Sequence, residues 1–240
     1  MISLHNVTKY YPTKHGRHYI LRDVSIDFPM DKNIGVFGIN GSGKSTLMNL
    51  LAGVDQPNQG KIIVKGNISW PLGLSGYQGS MTGRENAEFI CRIYGKSRQE
   101  IKQKLDFIKA FSELDKFFEM PLKSYSSGMR SKFSFAVSMA FDFDYYLIDE
   151  LTAVGDKRFR EKCKQVFDDK KGRANFLFVS HNMEELKRQC DVGLFIRDGQ
   201  LYLYDSVQEA IDAYNMAHSS ANTCKIQSIA VTPPQEVTAA

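Results

Sequence analysis

Gly38-Ile39-Asn40-Gly41-Ser42-Gly43-Lys44-Ser45-Thr46 constrains this chain more than any other stretch, because it fits the pattern G-x-x-x-x-G-K-[ST]. It falls between a buried-strand run, Ile34 to Phe37, and a helix expected from about Lys44 to Ala52, with Gly53 placed to stop that helix. Glycines let the backbone turn without Cβ clashes so that successive amides converge on an anion, and the positive end of the following helix adds a field of the right sign. In such a loop Lys44 pairs with the β- and γ-phosphates and Ser45 holds Mg²⁺. From average residue frequencies, a chance match in a chain of this size is on the order of one in a hundred. The loop alone specifies a nucleoside triphosphate and leaves kinases, GTPases and motor ATPases open.

A second feature narrows the choice. Tyr145-Tyr146-Leu147-Ile148-Asp149-Glu150 is an apolar strand ending in two acids. Asp149 is suited to Mg²⁺, and Glu150 to orienting and polarising an attacking water. A polar strand end at a sheet edge is the plain alternative; the phosphate loop upstream favours the catalytic one. Between the two lies Tyr125-Ser126-Ser127-Gly128-Met129-Arg130, directly before an amphipathic pattern carried by Met129, Phe133, Val137 and Phe141. Ser126 and Gly128 thus stand at a helix N-terminus, whose free N–H groups attract a phosphate. Standing alone, that segment reads as an ordinary serine N-cap.

The rest of the chain organises around these motifs. Ile2 to Val7 and Tyr19 to Phe28 read as an antiparallel hairpin about a turn at Thr13 to Arg17. From Thr82 to Phe141 the pattern is helical, with capping-box candidates Thr82-x-x-Glu85 and Ser97-x-x-Glu100, the second leading into Ile101, Leu105 and Ile108. Strand-like runs return at Tyr145 to Ile148, Phe176 to Val179 and Val192 to Arg197, with a helix-compatible stretch from about Asp156 to Lys170 between the first two. Strands alternating with helices imply a parallel sheet. Asp198-Gly199 turns into Leu201 to Tyr204, and Ser206-x-x-Glu209 caps a final helix.

Lys plus Arg number 31 against 27 Asp plus Glu, a formal charge of +4 that is too small and too evenly spread to argue for nucleic acid. No run has the apolar length of a bilayer span, and the N-terminus lacks the layout of a signal peptide, so a cytosolic chain is expected. Cys91, Cys163, Cys190 and Cys224 offer no C-x-x-C pair and read as reduced, structural thiols. No internal repeat is visible, so one cassette is expected and not two fused ones.

Phosphate loop, S-x-G-[MQ] helix start, apolar strand with Asp-Glu, then Val179-Ser180-His181 after another strand: this order resembles the nucleotide-binding subunit of ABC transporters. The separations agree, with 82 positions from Lys44 to Ser126, 23 from Ser126 to Asp149 and 32 from Asp149 to His181. The resemblance implies an α/β P-loop NTPase with a mainly parallel core sheet, an N-terminal antiparallel β subdomain and an inserted helical subdomain at about 76–141. The ATPase domain would span 1–218, followed by a tail at 219–240 without fixed fold. It also implies that the signature segment of one subunit closes over ATP held by the loop of a second copy. Gly38, Ile39, Asn40, Gly41, Ser42, Gly43, Lys44, Ser45 and Thr46 of one copy, with Ser126 and Gly128 of the other, then bind the nucleotide. Ser45 and Asp149 serve Mg²⁺, and Glu150 and His181 are catalytic. Tyr11 stacks on adenine, with Tyr10 and Tyr19 near enough to leave a plain core or surface tyrosine open, and Asp156 links the two sites.

The signature departs from the common ABC form at Tyr125, Ser127 and Met129, the linking loop reads Ala153-Val154-Gly155-Asp156, and the usual loop glutamine is missing, with Gly73 near its place. Gln78 is close but shifted and takes no such role. These departures, with Ser69 to Gly73, Gln78 to Asn86 and Phe89 to Tyr94, resemble the ATP-binding subunits that export capsular polysaccharide in Gram-negative bacteria. The relatives that export O-antigen or teichoic acid, or a soluble ABC-fold ATPase uncoupled from transport, are the alternatives. The resemblance further implies permease subunits in the inner membrane as partners, a place on its cytoplasmic face, and periplasmic and outer-membrane export components beyond. The stretch Trp70 to Thr82, rich in Gly and expected to expose its aromatics, is the candidate surface for the permease; a loop packed on the helical subdomain is the alternative.

Overall fold

Strand β1 (Ile2–Thr13) pairs antiparallel with β2 (Gly16–Asp27), and the hairpin continues past Val7 because Tyr11 faces His18 and Thr13 faces Gly16 across the ladder. On the other side of β1 lies a strand that the sequence pattern does not announce, Gln59–Val64, paired through Ile2 with Val64 and Leu4 with Ile62. The computed structural model describes residues 1–71, 76–149, 157–170, 172–180 and 182–221.

The main sheet is built from β3 (Ile34–Phe37), β5 (Tyr145–Asp149), β6 (Asn175–Val179), β7 (Val192–Arg197) and β8 (Gln200–Tyr204), with β4 being the Gln59–Val64 strand. Its order is β5-β6-β3-β7-β8, parallel through the first four and antiparallel at β8. The reversal is made by Asp198 and Gly199, at φ 51° and 81°, the pair of left-handed residues that a two-residue hairpin turn demands.

Both faces of this sheet are covered, which is why β3 is apolar throughout rather than alternating. Period 2 nevertheless sorts the side chains. Leu147 and Val179 face helix α1 (Lys44–Leu51), which buries Leu47, Met48, Leu50 and Leu51 between the sheet and the β1–β2 hairpin. Tyr146, Ile148, Phe176 and Phe178 point the other way, into an aromatic core shared with α4 (Ser127–Met139) and α5 (Lys157–Lys170). There Phe135 meets Phe167 at 5.4 Å, Phe167 meets Phe176 at 5.4 Å and Tyr146 stacks on Phe176 at 5.3 Å, spacings that favour aromatic pairs.

The helical excursion holds α2 (Gly83–Ile93), α3 (Arg98–Ser112) and α4. Both capping boxes form: Thr82 Oγ1 accepts from the Glu85 amide and Ser97 Oγ from the Glu100 amide, while each glutamate carboxylate accepts from its cap residue's amide. Ile101, Leu105 and Ile108 are buried, as their spacing requires. Phe141 is a correction to the α4 pattern, since it lies beyond the end of that helix and packs against Trp70. Helix α6 (Met183–Gln189), too short for a periodic signal, is capped by the Asn182 side chain, and α7 (Val207–Ala221) is the last described element, with Ser206 Oγ accepting from the Glu209 amide. Residues 222–240, most of the expected tail, lie outside the described residues. Among the described residues no helix is long and apolar enough to cross a membrane.

Tyr146 is the polar point of the aromatic core. Its hydroxyl donates to the Phe141 carbonyl at 2.7 Å and accepts from the Phe143 amide at 3.3 Å, all buried. Tyr146→Phe strands that amide, so the urea midpoint should fall by an amount equivalent to about 1–3 kcal/mol while the far-UV spectrum is kept.

Candidate nucleotide site

Helices α2, α3, α4 and α6 each begin on a side chain that accepts from their own first-turn amides; α1 does not. Its N-cap is Gly43, at φ 102°, with no side-chain cap and no acidic residue in the first turn. The amides of Lys44, Ser45 and Thr46 have no intrahelical acceptor by helix geometry and carry the positive end of the dipole. Among these helix starts, the sequence leaves that of α1 to an anion.

Crowding explains the glycines around it. A Cβ on Gly43 would sit 2.3 Å from Ile20 Cγ2 of β2, and one on Gly38 would sit 2.3 Å from Ser42 Oγ and 3.0 Å from the Ile196 carbonyl oxygen. Gly41, at φ 81°, has open space and needs only the left-handed backbone. Within the loop, the Ser42 amide donates to the Ile39 carbonyl at 3.1 Å. The Ser42 hydroxyl is buried without a protein partner among the described residues, and Ile39, Asn40 and Gly41 form the exposed rim. The Lys44 ammonium folds back over the loop, donating to the carbonyls of Gly38 at 2.8 Å and Ile39 at 3.0 Å. A loop crowded at Gly38 and Gly43, a buried hydroxyl, a positive helix end and an ammonium together fit a polyphosphate.

Asp149 reaches this cradle from 104 residues away in sequence. It ends β5, and its Oδ2 accepts from Ser45 Oγ at 3.4 Å. A hydroxyl and a carboxylate so placed form a hard-oxygen donor pair of the kind Mg²⁺ takes with phosphate oxygens. The two sequence motifs therefore meet at one point.

Tyr11 stands beside the same helix. Its hydroxyl donates to Asp55 Oδ2 at 2.8 Å, and the Thr46 hydroxyl also hydrogen-bonds the phenol. Its pKa is raised, first by burial and then by the Asp55 bond. Its neighbours Tyr10 and Tyr19 pair with each other instead, at 5.4 Å. Asp55 carries no motif and is invisible to sequence reasoning, because the fold alone brings it to Tyr11.

Ser126 and Gly128 are not joined to the loop within the chain: among the described residues no hydrogen bond links them to 38–46. Ser126 is the exposed N-cap of α4, its Oγ accepting from the Met129 amide at 3.2 Å, and a Cβ on Gly128 would meet nothing within 4 Å. This helix start opens to the surface. Glu150, Asp156 and His181 lie outside the described residues. Ser180 Oγ accepts from the Asn182 amide at 3.0 Å and donates to Glu185 at 3.2 Å.

The Trp70 to Thr82 stretch corrects an expectation. Trp70 packs inward against Tyr94, Phe141 and Phe143, and Tyr77 against Phe133 with its hydroxyl on Ser134, so these aromatics secure the segment to the helical excursion. Residues 72–75 lie outside the described residues. Gln78 points to Ser80, 3.2 Å away.

Comparison with known proteins agrees with this geometry. The ABC transporter family model matches residues 21–153. The chain is 50% identical over 218 residues to the polysialic acid transport ATP-binding protein KpsT of Escherichia coli, covering 90% of this chain and 97% of that one. It is 42% identical over 216 residues to the capsule polysaccharide export ATP-binding protein CtrD of Neisseria meningitidis serogroup B, covering 90% and 99%. Among solved structures, a dimeric ATP-binding cassette in a post-hydrolysis state bound to ADP and Pi superposes with a TM-score of 0.74 at 20% identity, covering 86% of this chain and 99% of that one.

Gly43→Ala combines a left-handed backbone with the clash on Ile20, whereas Gly41→Ala carries the backbone strain alone. By calorimetry, Gly43→Ala should weaken ATP binding more than tenfold and lower the melting temperature; Gly41→Ala should do less on both counts. The reverse order would show that crowding from β2 does not shape the loop.

Proposed function

The chain belongs to the ABC transporter family, and from that premise we propose that it is the ATP-binding, ATP-hydrolysing subunit of an exporter that moves a capsular polysaccharide across the inner membrane. The observation that supports the chemistry is the meeting of Ser45 and Asp149 at the uncapped start of α1. The substrate class rests on identity of 50% and 42% to two polysaccharide transport ATPases over nearly their whole lengths.

In this reading the phosphates lie in the 38–46 cradle, with Lys44 moving from the loop carbonyls to the β- and γ-phosphates. Ser45 and Asp149 hold Mg²⁺, which offsets phosphate charge when bound. Glu150 accepts a hydrogen bond from the attacking water and polarises it toward the γ-phosphorus, whose bond to the bridging oxygen breaks to give ADP and phosphate. His181 contacts the γ-phosphate, and Tyr11 receives the adenine. The site is completed by a second copy of the chain, whose Ser126 and Gly128 bring the positive end of α4 to the γ-phosphate, with Asp156 relating the two sites.

Two ATP molecules then bridge a homodimer, and hydrolysis removes the anion that held the opposed helix ends together. The difference in ATP affinity between closed and open dimers is the free energy available to a membrane partner. That partner is an integral-membrane permease, which places the chain on the cytoplasmic face of the inner membrane, with periplasmic and outer-membrane components completing the route. Trp70 being occupied, the apolar side chains this flank offers to the permease are Phe89 and Ile93 on α2, 56% and 64% exposed.

Glu150→Gln should lower steady-state ATP hydrolysis by about a hundredfold or more while the protein retains ATP and elutes as a dimer in its presence. Normal turnover would remove Glu150 from its role, and a monomer with bound ATP would remove the shared site. In the source bacterium, deleting the gene should leave polysaccharide inside the cell; only the wild-type copy, not the Glu150→Gln copy, should restore export.

A further inference from the structure

Behind Tyr11 the structure holds a second, nearly buried polar group that neither the phosphate chemistry nor the dimer explains. Lys9 is two residues earlier on β1 with its ammonium beside the Tyr11 ring, yet it is only 6% exposed. A buried ammonium needs full pairing. Lys9 Nζ finds it in Asp55 Oδ1 at 2.6 Å and the Gln56 carbonyl at 2.9 Å, while lying 4.8 Å from the centre of the Tyr11 ring. The carboxylate is shared: Oδ1 takes Lys9 and the Gln56 amide at 2.7 Å, and Oδ2 takes the Tyr11 hydroxyl at 2.8 Å. Burial pulls the Asp55 carboxyl upward, but the hydrogen bonds from Lys9, Tyr11 and Gln56 outweigh it and hold its pKa below the usual range.

Asp55 is itself fixed to the helix that starts in the phosphate loop. The amides of Val54 and Asp55 both donate to the Asn49 carbonyl, at 3.0 and 3.1 Å, just past the end of α1. The ring of Tyr11 is thus tethered by its hydroxyl to the turn that follows α1, with Thr46 of the first turn of the same helix beside it.

We propose that Lys9 and Asp55 are positioning residues for the nucleobase: Asp55 fixes the plane of the Tyr11 ring through its hydroxyl, and Lys9 covers one face of that ring, leaving the other as the single stacking surface. The cation behind the ring is attracted to its π face, so it holds the ring against rotation as well as blocking that side. Neither residue touches the base. This rests on Tyr11 being the base platform, and the test separates the two ideas.

Dissociation constants for ATP and for inorganic tripolyphosphate, which has phosphates but no base, are measured on the full chain carrying Tyr11→Ala, Tyr11→Phe, Lys9→Met or Asp55→Asn. Tyr11→Ala should weaken ATP about tenfold or more and leave tripolyphosphate unchanged, as loss of a base–aromatic stack requires. Lys9→Met, Asp55→Asn and Tyr11→Phe should each weaken ATP about three- to tenfold, again with tripolyphosphate unchanged, and Asp55→Asn should add little on the Tyr11→Ala background. Unchanged ATP affinity in Tyr11→Ala removes the base platform itself. A loss in Tyr11→Ala without one in Tyr11→Phe and Lys9→Met overturns the positioning role. Equal losses for ATP and tripolyphosphate in Lys9→Met or Asp55→Asn also overturn it, because a general disturbance of α1 would weaken both ligands. Tyr11→Phe, at a residue 40% exposed, breaks the tether without unpairing the buried ammonium and reports even if the Lys9 or Asp55 variants fold poorly.

Discussion

The contact between Ser45 Oγ and Asp149 Oδ2, 3.4 Å long, joins the first turn of α1 to the end of β5, and most of the fold can be understood as the apparatus that keeps those two oxygens together. Helix α1 is held from both sides, by the main sheet on one and by the β1–β2 hairpin on the other, through a core containing Leu47, Leu51, Val36, Leu147 and Val24. Strand β5 is held by its place next to β6 and by Tyr145 and Leu147 on one face and Tyr146 and Ile148 on the other. In a parallel sheet covered on both faces the strand ends converge with the starts of following helices, which makes that edge a natural place for a ligand.

Helix ends carry the second theme. Thr82, Ser97, Ser126 and Asn182 each satisfy an amide in the first turn of the helix they begin, whereas α1 starts on a glycine that offers nothing. The cost of leaving those donors without a side chain is tolerable because a phosphate can take them with a favourable dipole. The start of α4 is intermediate. Ser126 closes one amide, but the helix end is exposed, and Gly128 leaves space beside it that a larger residue would fill. A surface helix start that is only partly satisfied is consistent with a site finished by a second copy.

The helical excursion has its own supports. Lys162 of α5 donates to the Ala110 and Phe111 carbonyls at 3.2 and 2.9 Å, near the end of α3, and Glu113 lies between Lys162 and Lys132 at 3.4 and 3.5 Å. Burial raises the Glu113 carboxyl, but the two lysines outweigh it and hold it below the usual range. The Lys162 ammonium serves α3 as a cap for two of its last carbonyls, and with Lys132 it connects α4 with α5 through the Glu113 carboxylate.

Much of this was legible in the residues themselves. The phosphate loop, both capping boxes, the buried faces of α3 and the apolar strands depend on patterns spanning fewer than about ten positions, where backbone period and side-chain chemistry act locally. Strand β4 was not legible, because Gln59 to Val64 lacks alternation and becomes a strand only by pairing with β1. Trp70 read as an exposed aromatic, and only packing against Tyr94, Phe141 and Phe143 decided otherwise. The sequence by itself determined that a phosphate loop would lead into α1 and that Asp149 would end an apolar strand. Tertiary structure alone decided that Lys9, Tyr11 and Asp55 share one carboxylate, since residues 44 and 46 positions apart meet only when two sheets and a helix have packed, and no local pattern encodes that distance.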